Sequence, residues 1–365
     1  MQIDTLSLNA TSRLEYWQEQ WLALFREQTN TDLSSSYQWL ANDFINLAKS
    51  HNRRCYIAHD GGVFKGAIIC EPRWYKLGQR LPVPIVDTGS HFINDFAIDD
   101  IDGTNTLAAL VKAVQIDFPH SAWINFERIT QNCFQHLQAF STTTHSALLA
   151  YADDHSAVFD VSSGDFSLFT QSMSSKSKAN LRYYERLLTK SLGSVVHEVI
   201  SKQSAEDMDF HFSQFLEIEK SGWKGEKGTS ITQVEDSKNF HYSLCETAAE
   251  QGQLRWYKLS AGNQLVAINM AIQRGSDLWV VKTAYDENSK QFSPGTIGMT
   301  KLLHSAVEDP EICRVRMITN YSWLDRWHPD KEIYRGARIF NRNLLGIFFY
   351  NLLNIVQQLR SNSTP

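Results

Sequence analysis

A short pattern occurs twice in this chain, far apart and in the same order. Cys55-Tyr-Ile-Ala-His-Asp-Gly61-Gly-Val-Phe-Lys-Gly66 reads as two strand-forming runs around a tight turn. Trp256-Tyr-Lys-Leu-Ser-Ala-Gly262-Asn-Gln-Leu-Val-Ala267 repeats it, with Tyr257 on Tyr56 and Gly262 on Gly61 and no gap. Glycine belongs at such a turn because hairpin loops need a positive φ that other residues resist. A second echo follows downstream of each hairpin. Asp102-Gly103-Thr104 opens a stretch with Leu107, Leu110 and Val111 at helical spacing, and Pro294-Gly295-Thr296 opens one with Met299, Leu302 and Leu303. Each helix leads to a strand, Ala122–Glu127 in one case and Cys313–Thr319 in the other. Two echoes in one order at nearly one offset predict a tandem repeat of a single α/β domain.

The length of 365 residues suits this, since domains run to roughly 150 residues each. The expected division is 1–150 and 151–365, with the boundary in the polar stretch from Thr142 to Asp165. In the second half the strands Leu254–Leu259, Leu265–Gln273 and Leu278–Tyr285 precede a loop, the helix from Gly295, and the strand Cys313–Thr319. Antiparallel strands feeding a strand–loop–helix–strand unit describe a mixed α/β sheet.

Composition removes several function classes. A net charge of −5 counts against a nucleic-acid binder. The five cysteines contain no CxxC unit, and the twelve histidines no ligand spacing, so no metal is expected. The scattered cysteines and the absence of an apolar leader fit a cytoplasmic protein. No apolar run reaches the about 18 residues of a membrane span. No GxSxG or Walker loop is present.

The element order, with Lys282-Thr-Ala-Tyr285-Asp286-Glu287 and then Ser293-Pro294-Gly295, resembles the GNAT acyltransferase superfamily. Within it, the chain is similar to the tandem-GNAT acetyltransferases that include a cellulose-biosynthesis (CelD-like) protein, and more distantly to Fem-type aminoacyl transferases. Ser177-Lys-Ala-Asn-Leu-Arg182-Tyr-Tyr-Glu-Arg186 and Gly222-Trp223-Lys224 extend the likeness. The resemblance implies two GNAT-like domains, acetyl-CoA or another acyl-CoA as co-substrate, and a small-molecule amine or amino sugar as acceptor, in envelope polysaccharide synthesis. It also implies a thioester lying against the strand that ends at Tyr285.

Physical chemistry assigns candidate roles within that frame. A pyrophosphate seeks backbone N–H groups at a helix N-terminus. Ser293, Gly295, Thr296, Ile297 and Gly298 supply the loop and first turn, with Tyr285 and Asn320 beside them. Ser293-Pro-Gly295-Thr-Ile-Gly298 departs from the Q/R-x-x-G-x-G/A loop usual in the superfamily. Around Gly103, the carboxylates of Asp99, Asp100 and Asp102 disfavour phosphate, so the active site is expected in the second half. Acyl transfer needs a proton for the departing thiolate and a deprotonated amine. Tyr321 is the candidate acid and Asp286 the candidate base. Lys178, Arg182, Arg186 and Lys190 recur every four residues and form one basic helical stripe. Lys178, Arg182, Trp223, Lys224 and Trp323 are the candidate substrate-binding residues. Two other readings stay open: a Fem-like transferase using aminoacyl-tRNA, and a degenerate GNAT pair that only binds.

Overall fold

The computed structural model describes residues 1–10, 12–27, 32–77, 81–89, 93–99, 101–221, 231, 234–319 and 321–361. The chain divides into two compact units, Met1–Asp154 with Ile333–Pro365, and His155–Glu332.

The first unit contains β1 (Gln2–Ser7), β2 (Arg54–Asp60), β3 (Val63–Leu77), β4 (Leu81–Thr88), the short β5 (Ala97–Ile98) and β6 (Trp123–Ile129). β7 (Leu148–Asp160) runs out of it. The second unit contains β8 (Val195–Ile200), β9 (Leu254–Ala261), β10 (Gln264–Arg274), β11 (Asp277–Tyr285) and β12 (Arg314–Met317). β13 (Asp330–Phe340) runs back into the first.

The main sheet of the first unit is ordered β1-β2-β3-β4-β6-β13, antiparallel throughout except for the parallel pair β4/β6. That of the second is ordered β8-β9-β10-β11-β12-β7, again antiparallel except for β11/β12. The two orders are the same, as the sequence echoes predict. A parallel pair needs a crossover, and a helix supplies it in both, Gly103–Asp117 and Pro294–Glu308. Tyr56 and Tyr257 are both buried, each in the cluster beneath its own crossover helix. Leu107, Leu110 and Val111 fill one such cluster, and Met299, Leu302 and Leu303 the other. Each buried leucine contributes about 1.5–3 kcal/mol by leaving water.

One feature of the division differs from a single cut near residue 150. The first unit takes its last strand from beyond the second in sequence, whereas the second takes its own from the end of β7, just ahead of its other elements. Arg335–Phe340 of β13 pairs with β6, and Val158–Asp160 of β7 pairs with β12. The helix Leu344–Ser361 then packs Phe349, Leu352 and Leu353 against Val83, Ile85 and Trp123 of the first unit. Residues from Ile333 onward therefore belong with the N-terminal unit. Among the described residues no helix is long and apolar enough to cross a membrane.

Candidate functional site

The site grows out of the end of β11. Asp286 follows that strand, and its carboxylate is fully engaged by its own neighbourhood. Oδ1 accepts from the Asn288 N–H and Nδ2, both at 3.1 Å, and Oδ2 accepts from Gln264 Nε2 at 2.7 Å and Ser289 Oγ at 2.8 Å. Four hydrogen bonds use the lone-pair directions of a carboxylate. The 3-10 turn Glu287–Phe292 ends at Ser293, whose φ of 51° is left-handed. Pro294 then starts the helix at the position where a missing N–H loses nothing. The Thr296 and Ile297 N–H groups both turn back to the Ser293 carbonyl, at 3.0 and 3.2 Å. The Gly295 N–H has no partner among the described residues. Gly295 lies against the Tyr285 ring, where a Cβ would stand 3.0 Å from Cδ1. Burial and a hydrogen bond with Glu287 push the Tyr285 phenol up to about 12.

A cleft of about 390 Å³ opens beside this first turn, walled by the helix Ser175–Leu192 and the 3-10 turn Ser322–Trp327. Ser293, Thr296 and Ile297 line one side, Lys176, Ser177, Asn180 and Tyr184 another, and Trp323 and Arg326 the third. Arg326 is the central group. Its Nη1 donates to Thr296 Oγ1 at 2.7 Å and its Nε to the Trp323 carbonyl at 2.8 Å. Its guanidinium lies 5.4 Å from the Trp327 ring centroid. Burial lowers its pKa from the ordinary value. No carboxylate among the described residues lies within ion-pair distance of it. A helix N-terminus carries about half a positive charge, so a cation and a positive helix end face the same space. That arrangement favours an anion between them. A second hollow of about 190 Å³ shares Leu181 and Ile297 with the cleft and reaches Lys301 and His304, extending the groove along the two helices.

The edge of β11 supplies a further element. Its pairing with β12 ends at Val280, opposite Met317. Pairing with β10 continues to Tyr285 after a bulge at Val281. Among the described residues, Val281–Tyr285 has a strand on one side only. Backbone groups on its other side are available to a bound carbonyl.

The predicted residues separate into three sets. Ser293, Thr296, Ile297 and Trp323 meet in the cleft, whereas Gly295 and Tyr285 pack on each other and do not line it. Gly298 turns away from it: a Cβ there would lie 3.2 Å from Ala267 Cβ, so this glycine serves helix–sheet packing. Tyr321 is 48 % exposed and opens the 3-10 turn, its carbonyl accepting from Leu324 N–H at 2.8 Å, and it does not line the cleft. Lys178 and Arg182 do not line it either. The cleft is faced by Ser177, Asn180, Leu181 and Tyr184, a helical i, i+3, i+4, i+7 set, and the stripe falls one residue on, about 100° around the axis. Lys178 Nζ instead reaches the Gln171 carbonyl at 3.4 Å, and Arg182 is exposed. Trp223, Lys224 and Asn320 lie outside the described residues. Sequence reasoning missed Arg326 and Lys176. The signal for Arg326 was a lone arginine between Trp323 and Trp327, just past the second crossover strand.

The corresponding helix end of the first unit is filled by its own side chains. Asp99 accepts from the Ile101 N–H at 3.0 Å and pairs with Lys65 at 2.9 Å. The space beside Gly103 is taken by His136, 2.4 Å from where a Cβ would stand. Among the described residues no cluster of three or more His, Cys, Asp or Glu could hold a metal ion.

Residues 175–320 match the family described as an acetyltransferase (GNAT) domain. That span covers the cleft helices, β8 to β12 and the first turn of Pro294–Glu308. No curated protein sequence matches the chain. Solved structures match along nearly all of it. One is the C-terminal domain of a candidate lysylphosphatidylglycerol synthetase from Agrobacterium fabrum, at 11 % identity and a TM-score of 0.57, covering 96 % of this chain and 97 % of that one. FemX matches at 10 % identity and a TM-score of 0.57, covering 94 % and 98 %. The L-PGS of Bacillus licheniformis matches at 12 % identity and a TM-score of 0.55, covering 95 % and 97 %. At these identities the likeness is one of fold.

Proposed function

Because residues 175–320 match an acetyltransferase (GNAT) domain, we propose that the chain is an acyl-CoA-dependent N-acyltransferase that moves acetyl from acetyl-CoA to the amine of a small molecule or amino sugar. The observation that carries this reading is Arg326. It is a half-buried cation without a carboxylate partner among the described residues, tethered to Thr296 at a helix N-terminus. An acyl-CoA brings an activated thioester on a carrier whose pyrophosphate matches that demand for an anion.

Arg326, Lys176 and the Gly295 N–H are the groups proposed to hold the pyrophosphate, with Ser293, Thr296 and Ile297 alongside. The open edge of Val281–Tyr285 is proposed to polarise the carbonyl as negative charge develops on its oxygen. Tyr321 is proposed to protonate the departing thiolate. Asp286, saturated by its own turn, holds the loop that presents the helix, and the amine enters neutral. Trp323 offers an aromatic face to an acceptor. An amino sugar there fits a place in envelope polysaccharide synthesis.

A second reading is favoured by the whole-chain fold shared with FemX and with a candidate lysylphosphatidylglycerol synthetase, whose name specifies a lysyl-bearing product. In that reading the donor is an aminoacyl ester on tRNA and the anion is a nucleotide phosphate. Incubating the protein with a panel of amines and amino sugars, with acetyl-CoA or aminoacyl-tRNA as donor, separates the two. Amine-dependent release of free thiol from acetyl-CoA supports the first. Transfer from aminoacyl-tRNA alone supports the second.

A further inference from the structure

The N-terminal unit carries a buried polar row across a sheet face, with apolar residues on both sides of it. β3, β4, β6 and β13 bring Glu71, Asp87, Asn125 and Arg338 into register, each opposite the next. All four are buried. On one side of the row the face is Val83, Ile85, Trp123 and Phe340, and on the other Cys55, Ile57, Ala67 and Ile69. Most charges in the row are matched. Glu71 pairs with Arg53, which also meets Asp43, and Asp87 pairs with Arg73 at 2.9 Å.

Two charges have no counter-ion among the described residues. Arg338 is 8 % exposed, and its guanidinium sits among three rings, 4.0 Å from Tyr151, 5.3 Å from Trp123 and 5.4 Å from Tyr75. No carboxylate among the described residues lies within ion-pair distance, and its Nε is sealed from solvent without an acceptor. Ring faces attract a cation but offer no in-plane acceptor for its N–H groups. Glu127 shares the face with Asn125, two residues along β6. It is exposed, its one side-chain hydrogen bond among the described residues is from Asn125 Nδ2 at 3.4 Å, and its negative charge acts on Asp87 and Tyr151 nearby. Asn125 Nδ2 also donates to Asp87 Oδ1 at 2.8 Å, which fixes the amide orientation and leaves Asn125 Oδ1 buried without a donor among the described residues.

The cluster is also built to hold its shape. Tyr151 lies flat against Gly336, where a Cβ would come within 2.7 Å of the ring, and its hydroxyl donates to the Phe126 carbonyl at 3.3 Å. Glycine at that position lets the ring cover Arg338. The result, among the described residues, is one unmatched cation, one unmatched anion and one unmatched acceptor on a single face, with the two charges beyond ion-pair reach of each other. Their complement is a small zwitterion. We propose that the N-terminal unit binds a free α-amino acid here, its carboxylate on Arg338 and its ammonium on Glu127 and Asn125 Oδ1. This does not depend on the acyltransferase reading.

Titration calorimetry with L-alanine, L-lysine and L-glutamate tests it, beside N-acetyl-L-alanine, which lacks the ammonium, and L-alaninamide, which lacks the carboxylate. At least one free amino acid is expected to bind saturably, and each blocked form of alanine to bind about tenfold or more weakly than alanine itself, the loss expected from one charge-assisted contact. Glu127→Gln, at an exposed position, should weaken the free amino acid by a similar factor and leave N-acetyl-L-alanine unaffected. Arg338→Met should do the converse for L-alaninamide. If Arg338→Met does not fold, Glu127→Gln decides. Absence of saturable binding by all three amino acids, or affinity unchanged in Glu127→Gln, overturns the proposal.

Discussion

Arg326 Nη1 donates to Thr296 Oγ1 across 2.7 Å and so holds a cation at the first turn of the Pro294 helix. Helix end and guanidinium both carry positive charge into the cleft, and the tether keeps them together. Thr296→Val keeps the side-chain shape and removes the acceptor. A hydrogen bond from a charged donor nets about 1.5–3 kcal/mol, so acetyl-CoA affinity should fall about tenfold or more with the fold intact. Calorimetry beside a thermal melt reads both. Unchanged affinity would mean that Arg326 needs no tether.

Tyr321→Phe removes the proposed proton donor and keeps the ring. General acid contributions are about 10²–10⁴-fold, so steady-state turnover should drop within that range. The affinity for acetyl-CoA should hold, because the hydroxyl acts on charge that develops at sulfur in the transition state. A fall confined to affinity would make Tyr321 a binding residue.

Gly61 and Gly262 occupy equivalent hairpin turns, with φ of 56° and 57°. Their surroundings differ. A Cβ on Gly61 meets nothing within 4 Å, whereas one on Gly262 would stand 2.2 Å from the Leu192 carbonyl oxygen. Gly61→Ala should cost about 1 kcal/mol for its left-handed backbone. Gly262→Ala adds a backbone clash and should cost more, about 3 kcal/mol or above. Urea denaturation of the two variants compares them, and equal losses would contradict the close approach.

His197 on β8 has Nδ1 3.4 Å from Ser305 Oγ, and its Nε2 is buried without a partner among the described residues. Burial, reinforced by the charges of Lys301 and His304, holds its pKa down at about 4. The unfolded chain binds this proton near pH 6.5 and the folded chain only near 4. The histidine's contribution to stability is therefore complete above pH 6.5 and is lost as the pH falls from there through 4. His197→Gln should flatten the pH dependence of the melting temperature in that window. A parallel curve would mean that this histidine titrates normally in the fold.

Much of the architecture was legible because the repeat marks its own joints. Glycine turns and a helix opening after the third hairpin strand are local features, and local features survive in sequence. Strand partners are not local. Nothing in the run Ile333–Phe340 shows that it pairs with Trp123–Ile129 rather than with the strands just before it. The basic stripe misled for a related reason. Its period is helical, but period alone does not say which face of Ser175–Leu192 meets the Pro294 helix, and the apolar Leu181 and Leu188 mark the packed side. Arg326 escaped notice because its meaning lies in what it lacks among the described residues, a carboxylate partner, and that is visible only in three dimensions. Asp286 looked catalytic from its place after β11 and is a turn cap, the commoner use of a loop aspartate.

The central claim is that the cleft at the Pro294 helix takes the pyrophosphate of an acyl-CoA. Titration calorimetry of acetyl-CoA against the parent and Arg326→Met tests it most directly. Methionine keeps the contact with Trp327 and removes the charge. The account predicts saturable binding by the parent and a loss of about tenfold or more in the variant, the loss of one charge-assisted contact to phosphate. Binding of equal strength in both proteins, with the variant folded, would contradict it.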